Sequence, residues 1–259
     1  MIHKTALIHP DAIIEENVDI GPFTIIGGNV KISKGTKIGS HVVIEGDTQI
    51  GENCQIFTGA ILGNIPQDLK YKGEPTKVII GNNNIIREYV TINRGTQHTG
   101  KTVLGDKNLI MAYAHIAHDC VIGDNVIISN AVTMAGHVII EDRAIVGGLS
   151  PVHQFVRIGM LAMVGGGSRV AKDVPPYCMA AGTPIRMFGL NVVGLERSNF
   201  SSEVKLQIKK AYKILFRSKL NTTQALKMLE KEPNLSEEVL QFMSFIRESE
   251  RGICKEETA

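Results

Sequence analysis

One aliphatic position returns every six residues through most of this chain. From Leu104 to Val174, Ile, Leu, Val or Met holds it at every repeat, and the same repeat runs from Ile2 to Leu62 and resumes at Ile80. Small or β-branched residues follow four places later. A period of six is neither the 3.6 of an amphipathic helix nor the 2 of a half-buried strand. It is typical of a solenoid whose faces are each one hexad long, and three hexads close a triangular coil. The repeat therefore predicts a mainly β protein built as a parallel β-helix, in which residues 18 apart lie one above another.

The repeat is interrupted twice and then ends. Residues 63–77 are polar with two prolines, residues 97–102 form a second break, and both restarts keep the original phase. Loops that project from a regular scaffold often carry binding residues. After the sequence Val-Pro-Pro-Tyr at 174–177 a helical pattern follows, with predicted caps at Ser201 or Ser202, Thr222 or Thr223, and Ser236. We predict a β-helix over residues 1–181 with projecting loops at about 63–77 and 97–102, and a small α-helical domain over 182–259.

Charge and cysteine usage restrict the functional classes. With 28 Lys and Arg against 26 Asp and Glu, the net charge of +2 argues against a dedicated nucleic-acid binder. No apolar run reaches the roughly 18 residues that a membrane span needs, and no signal peptide is evident. Cys54 and Cys120 fall at small interior positions of different faces, so they cannot pair. The sequence thus predicts a reduced, cytoplasmic protein without an integral membrane segment.

Aliphatic residues also occupy outward positions on the faces of the coil. Ile13, Ile25, Val43, Ile61 and Ile139 are five residues beyond an interior aliphatic. Exposed apolar strips of this kind usually mark an interface. We expect a homotrimer with cyclic symmetry.

The sequence AHIAHDC at 114–120 offers the strongest candidate chemistry. The 18-residue rule stacks His118 with Gly136, and Asp119 with His137, at one corner, where we expect polar side chains to face outward. A histidine can act as general base, and an aspartate can fix its tautomer. The backbone N–H of Gly136 is suited to an oxyanion. Because Cys120 points inward, direct transfer to a hydroxyl or amine is favoured over a covalent intermediate.

Two other interpretations of these histidines stay open at this point. An exposed histidine on a repeat corner is often without function, although several around one corner make that interpretation weaker. Alternatively, His115, His118 and His137 could hold zinc across a trimer interface, as in carbonic anhydrase-like sites.

Several motifs resemble those of the UDP-N-acetylglucosamine acyltransferases of lipid A biosynthesis. These are QDLKYKGEPT at 67–76, REYVTINRGT at 87–96, AHIAHDC at 114–120 and DVPPY at 173–177. The resemblance covers essentially the whole chain. It implies a left-handed β-helix trimer with active sites between neighbouring subunits. It also implies transfer of a 3-hydroxyacyl chain from acyl carrier protein to the 3-hydroxyl of UDP-N-acetylglucosamine, with the carrier thioester as co-substrate and no metal or other cofactor.

The resemblance also assigns roles to individual residues. It implies that His118 is the base, Asp119 its partner and Gly136 the oxyanion donor. The implied substrate-binding residues are Asp68, Lys70, His115, His137, His153, Gln154, Asn191 and Arg197. Gly166 matches the residue that sets acyl-chain length, and a glycine there favours a longer chain.

The sequence departs from the family pattern in its nucleotide segment, at Val193 and Ser198, and at Asn93, where histidine is familiar. Three alternatives therefore remain: N-acylation of the 3-amino sugar analogue, another hexapeptide acyltransferase, and a non-catalytic structural β-helix. For the acidic carrier protein we expect a basic surface on the first long C-terminal helix. Its candidate residues are Lys205, Lys209, Lys210, Lys213, Arg217 and Lys219.

Overall fold

The computed structural model describes residues 1–256, in which short strands build three flat sheets around a triangular coil. Sheet 1 contains β1 (Leu7–Ile8), β4 (Ile25–Ile26), β7 (Val43–Ile44), β10 (Ile61–Asn64), β13 (Thr91–Asn93), β16 (His115–Ile116), β19 (Thr133–Met134) and β22 (Pro151–Val152). Sheet 2 contains β2 (Ile13–Ile14), β5 (Lys31–Ile32), β8 (Asp47–Ile50), β11 (Lys77–Ile80), β14 (Lys101–Leu104), β17 (Val121–Ile122), β20 (Ile139–Ile140) and β23 (Arg157–Ile158). Sheet 3 contains β3 (Asp19–Ile20), β6 (Lys37–Ile38), β9 (Gln55–Ile56), β12 (Ile85–Ile86), β15 (Leu109–Ile110), β18 (Ile127–Ile128), β21 (Ile145–Val146), β24 (Met163–Val164), β25 (Cys178–Ala181) and β26 (Arg186–Leu190).

The hexad explains this architecture because its aliphatic position points into the coil. From β1 to β24 neighbouring strands are parallel and pair residues 18 apart, as in Ile127 with Ile145, wherever no loop intervenes. From Ile20 onward the interior aliphatics are buried, whereas Ile2 is 51 % exposed at the end of the coil. The core of the coil is therefore three columns of stacked aliphatic side chains, one from each sheet, which confirms the predicted mainly β, parallel-coil architecture.

Both loops leave the same corner of the triangle, in successive coils. We call the corner between sheets 1 and 2 corner 1–2, and name corner 2–3 and corner 3–1 likewise. Ile61 pairs with Thr91, 30 positions later, and Thr91 pairs with His115, 24 positions later. The chain thus gains 12 and then 6 residues at corner 1–2. The second loop lies earlier in the chain than predicted, since β13 ends at Asn93, β14 already contains Lys101 and Thr102, and the excursion covers residues 94–100.

Helices follow the coil, with one cap different from the prediction. They are α1 (Val192–Arg197), α2 (Ser202–Phe216), α3 (Thr222–Leu229) and α4 (Glu237–Arg247). Ser201 caps α2 through Val204 N–H, as predicted. Asn221 caps α3 with a full capping box, so the predicted cap at Thr222 or Thr223 is wrong by one residue.

The predicted division after residue 181 falls within a hairpin of sheet 3. On its far side β26 pairs antiparallel with β25, so sheet 3 continues to Leu190 before α1 begins. The division stays a prediction, and its residues 257–259 lie outside the described residues. Within residues 1–256, no helix has the length and apolar character needed to cross a bilayer.

Candidate active site

A histidine and an aspartate form a hydrogen-bonded pair at corner 1–2, just after β16. The Nδ1 of His118 lies 2.7 Å from Oδ2 of Asp119. The His118 side chain is 13 % exposed, and that of Asp119 is fully buried. With Asp119 ionised, Nδ1 carries the proton and Nε2 presents its lone pair. This is the tautomer that a general base needs.

The burial of Asp119 corrects the expectation that the polar side chains at this corner face outward. Its main chain adopts the left-handed conformation common to the corners of this coil, with φ of 60°, and the neighbouring loop covers the carboxylate. There it accepts hydrogen bonds from Thr96 and Thr99. Burial by itself raises the pKa of Asp119, but the hydrogen bonds from Thr96, Thr99 and His118 outweigh it and lower the pKa to about 2. The carboxylate is therefore ionised at neutral pH.

Gly136 lies directly beside the imidazole of His118, as the 18-residue rule predicts. A Cβ at this position would come within 2.4 Å of the His118 ring, so only glycine lets the ring lie here. The Gly136 N–H forms no hydrogen bond to any residue in the described range 1–256. It is free to donate to an incoming oxyanion next to the base.

His137 completes the cluster. Its ring stacks on Phe155 at 4.5 Å between centroids and meets the His118 ring edge-on at 5.1 Å. Burial, together with the neighbouring His118 and His98, lowers the pKa of His137, although nearby carboxylates oppose the shift. His137 is accordingly neutral at neutral pH.

The two loops enclose a cavity of about 300 Å³ against His137 and Phe155. Asp68 and Lys70, which were predicted to bind substrate, line it together with His98. The His98 ring lies 4.8 Å from that of His137, edge to face. Sequence reasoning missed His98, although the insertion at the corner one coil before His118 was a signal that could have found it.

Three further predicted residues lie around the same corner. His115 leads β16 and is held by Thr91, whose Oγ1 lies 2.7 Å from its Nδ1. Burial lowers the pKa of His115, and the neighbouring His118 adds to that effect. His153 and Gln154 are exposed one coil beyond Gly136. All three can contact a ligand that lies along the corner.

The remaining predicted residues are at the other two corners. Gly166 is exposed at corner 3–1, between β24 and the bridge from Val170 to Val152. Asn191 caps α1 at corner 2–3, where its side chain donates to Leu161 and accepts from Gly194. Arg197 ends α1 and is exposed. One chain therefore does not bring these three residues to the His118 corner.

The structure redefines the zinc alternative. The donor atoms that lie within 4.8 Å of one another belong to His118, Asp119 and His137, and His115 is outside this group. In the observed arrangement Nδ1 of His118 and Oδ2 of Asp119 are engaged with each other, so a metal would depend on Nε2 atoms and on the remaining carboxylate oxygen.

Cys120 is fully buried, and burial raises the pKa of its thiol to about 12, which agrees with the predicted inward direction.

Comparisons with known proteins identify the family. The chain is 55 % identical over 255 residues to an acyl-[acyl-carrier-protein]–UDP-N-acetylglucosamine O-acyltransferase of Thermodesulfovibrio yellowstonii, with 98 % of this chain and 99 % of the relative covered. The chain belongs to the UDP-N-acetylglucosamine O-acyltransferase family. The family model described as UDP-N-acetylglucosamine O-acyltransferase, domain 2, matches residues 173–254, and the bacterial transferase hexapeptide model matches residues 101–136.

Solved structures of this acyltransferase family have the same fold. LpxA from Bacteroides fragilis, described as a UDP-N-acetylglucosamine acyltransferase, superposes with a TM-score of 0.95 at 47 % identity, over 98 % of this chain and all of the other. LpxA from Acinetobacter baumannii gives a TM-score of 0.94 at 47 % identity, over 98 % and 99 % of the two chains. The coil is a left-handed parallel β-helix followed by helices, which confirms the predicted fold class.

Proposed function

We propose that this chain transfers a 3-hydroxyacyl group from acyl carrier protein to the 3-hydroxyl of UDP-N-acetylglucosamine, the first step of lipid A biosynthesis. The observation that carries the proposal is the His118–Asp119 pair at 2.7 Å, with the free N–H of Gly136 beside the imidazole. Base, orienting carboxylate and oxyanion donor are the three groups that direct acyl transfer to a hydroxyl requires. The neighbouring cavity under the two loops gives the sugar nucleotide a place to bind.

In this mechanism Nε2 of His118 removes the proton of the sugar hydroxyl while its oxygen attacks the thioester carbonyl carbon. The N–H of Gly136 donates to the oxyanion of the tetrahedral intermediate. The C–S bond then breaks, and the carrier thiolate leaves with the proton that His118 gives back. Asp119 stays ionised throughout and stabilises the imidazolium, as the carboxylate does in catalytic triads.

The position of the other candidate residues supports a trimer with active sites between subunits. Gly166 and Asn191 lie at the two corners that do not contain His118. A second copy is therefore needed to bring an acyl-chain residue or a nucleotide residue to the catalytic corner. Exposed aliphatics on the flat faces, including Ile13 and Ile139 at 53 % and 37 % exposure, offer the contact area.

The basic face of α2 is the proposed docking surface for the acidic carrier protein. Lys205, Lys209 and Lys213 are four residues apart and so lie along one stripe of the helix, whereas Lys210 is paired with Glu232. Lys205→Glu with Lys209→Glu should raise KM for the acyl carrier protein substrate and leave KM for a small thioester unchanged. Lys227→Glu on α3 is the matched control. An equal change for both donors would contradict carrier docking on this face.

A paired transfer assay tests the function itself. It uses 3-hydroxyacyl carrier protein with UDP-N-acetylglucosamine or its 3-amino analogue, and compares the natural sequence with His118→Ala. His41→Ala is the control, since His41 stacks on Phe23 at corner 3–1, away from the pair. We expect ester formation that His118→Ala abolishes and His41→Ala preserves. A preference for the amino sugar would indicate amide formation, and absence of transfer to either acceptor would overturn the proposal.

A cytoplasmic location is part of the same proposal. Cys54, Cys120, Cys178 and Cys254 are all free and buried, which suits a reducing compartment. Both proposed substrates, an acyl carrier protein and a nucleotide sugar, are supplied there.

A further inference from the structure

The 94–100 excursion is organised around the carboxylate of Asp119. Thr96 donates to it twice, from its N–H at 3.0 Å and its hydroxyl at 2.7 Å. The N–H of Thr99 donates at 3.3 Å, and its hydroxyl forms a short hydrogen bond to the same oxygen. Thr102, in β14, accepts a hydrogen bond from the Asp119 N–H at 2.9 Å. Three threonines from one short stretch thus hold one residue.

Two glycines shape the turn that delivers these threonines. A Cβ at Gly95 would come within 2.3 Å of the Lys101 main-chain nitrogen. Only glycine therefore lets the start and the end of the excursion approach this closely. Gly100 has φ of 74°, a left-handed conformation that favours glycine, and its N–H donates to the Thr96 carbonyl. The turn is therefore closed on itself, with both hydroxyls directed toward the neighbouring coil.

We propose that Thr96 and Thr99 are positioning residues for the reaction, which keep the Asp119 carboxylate ionised and oriented so that His118 holds its proton on Nδ1. The proposal rests on the function proposed above. Neither threonine touches the reacting atoms in this scheme, and both act through Asp119. A five-donor shell explains why a carboxylate can stay charged in a fully buried position, where an unpaired charge is costly.

The division of donors between the two carboxylate oxygens makes the proposal specific. Oδ1 receives both main-chain N–H groups and the Thr99 hydroxyl, whereas Oδ2 receives the Thr96 hydroxyl and Nδ1 of His118. Loss of the Thr99 hydroxyl removes a donor from Oδ1. Burial is then opposed by fewer hydrogen bonds, and the pKa of Asp119 rises. Loss of the Thr96 hydroxyl removes one of the two hydrogen bonds that hold Oδ2, and so weakens the orientation of the oxygen that faces His118.

Isosteric substitution separates this role from a merely structural one. Thr96→Val and Thr99→Val keep side-chain shape and main-chain donors but remove each hydroxyl, and Thr99→Ser restores one. The matched control is Thr36→Val, because the Thr36 hydroxyl is also a buried donor, but to the main-chain carbonyl of Gly51, far from corner 1–2. A charge-assisted hydrogen bond is strong enough for its loss to lower kcat by about tenfold or more.

The expected results are a lower kcat in both valine variants, little change in KM for Thr99→Val, rescue by Thr99→Ser, and no effect of Thr36→Val. Carbon NMR of the Asp119 carboxyl should show its titration moving to higher pH in both valine variants. Nitrogen NMR of His118 should show loss of the uniform Nδ1–H tautomer in Thr96→Val. Unchanged kcat and an unchanged Asp119 titration would overturn the proposal. Because both NMR measurements need no turnover, they test the threonines even if the natural sequence transfers no acyl group, an outcome that would instead refute the proposed function.

Discussion

Replacing Asp119 by asparagine is the sharpest test of how the buried carboxylate controls its histidine neighbour. The amide oxygen of the new side chain must take the place of Oδ1, because the main-chain N–H groups of Thr96 and Thr99 can only donate. The amide NH₂ then replaces Oδ2 and faces Nδ1 of His118. To accept that hydrogen bond the imidazole must move its proton to Nε2, which removes the lone pair that the base needs.

The size of the effect follows from the site. The wrong tautomer at a comparable carboxylate–histidine pair costs about 10⁴-fold in kcat, and we expect a loss of about 10³- to 10⁴-fold here. The pKa of Asp119 is lowered from its ordinary 3.8 to about 2, so the ionised group contributes about 2 kcal/mol to the free energy of unfolding. Because the pKa is lower in the folded state, this contribution is complete above about pH 4 and is lost as the pH falls toward 2.

Three measurements check this reasoning: acyl transfer at saturating substrate, the tautomer of His118 by nitrogen NMR, and denaturant unfolding between pH 2 and 7. The difference in unfolding free energy between the natural sequence and Asp119→Asn should shrink by about 2 kcal/mol across that acid range. Asp124→Asn is the control, since Oδ1 of Asp124 likewise accepts a main-chain N–H, that of Asp106, away from the histidines. Activity within tenfold of the natural sequence, or an unchanged His118 tautomer, would refute the argument.

Further predictions concern Gly136, Gly166 and metal dependence. Gly136→Ala should lower kcat at least about 100-fold, because the added Cβ displaces the His118 ring. Gly27→Ala is the control, since a Cβ added there makes only ordinary contacts. An active Gly136→Ala enzyme would contradict the packing argument. Gly166→Met should shift the preferred donor toward shorter acyl chains in a chain-length series. Gly166 is exposed, and a Cβ added there would lie 3.3 Å from the carbonyl oxygen of Gly148. An unchanged chain-length preference would remove Gly166 from the acyl site. Prolonged treatment with a chelator should leave transfer unchanged, and loss of activity that zinc restores would establish the metal alternative.

The sequence predicted the coil well because a six-residue repeat leaves the chain few choices. The aliphatic residue that points inward in each hexad specifies the faces of the coil, the strand register and the core together. Both loop insertions are multiples of six residues and so preserve this register. The same arithmetic predicted that His118 lies beside Gly136, and Asp119 beside His137. The helical caps were less certain, because neighbouring Ser, Thr and Asn residues compete for the role, and Asn221 rather than Thr222 caps α3.

Periodicity by itself did not determine what surrounds the catalytic pair, since that depends on where inserted residues fold. Thr96, Thr99 and His98 lie in a segment without hexad pattern, and only the folded loop brings them over Asp119 and His137. For the same reason the sequence suggested an outward-facing aspartate where the structure shows a buried one. Local spacing along a repeat fixes which residues share a corner, whereas the burial and charge of that corner depend on a loop whose path is set by tertiary hydrogen bonds.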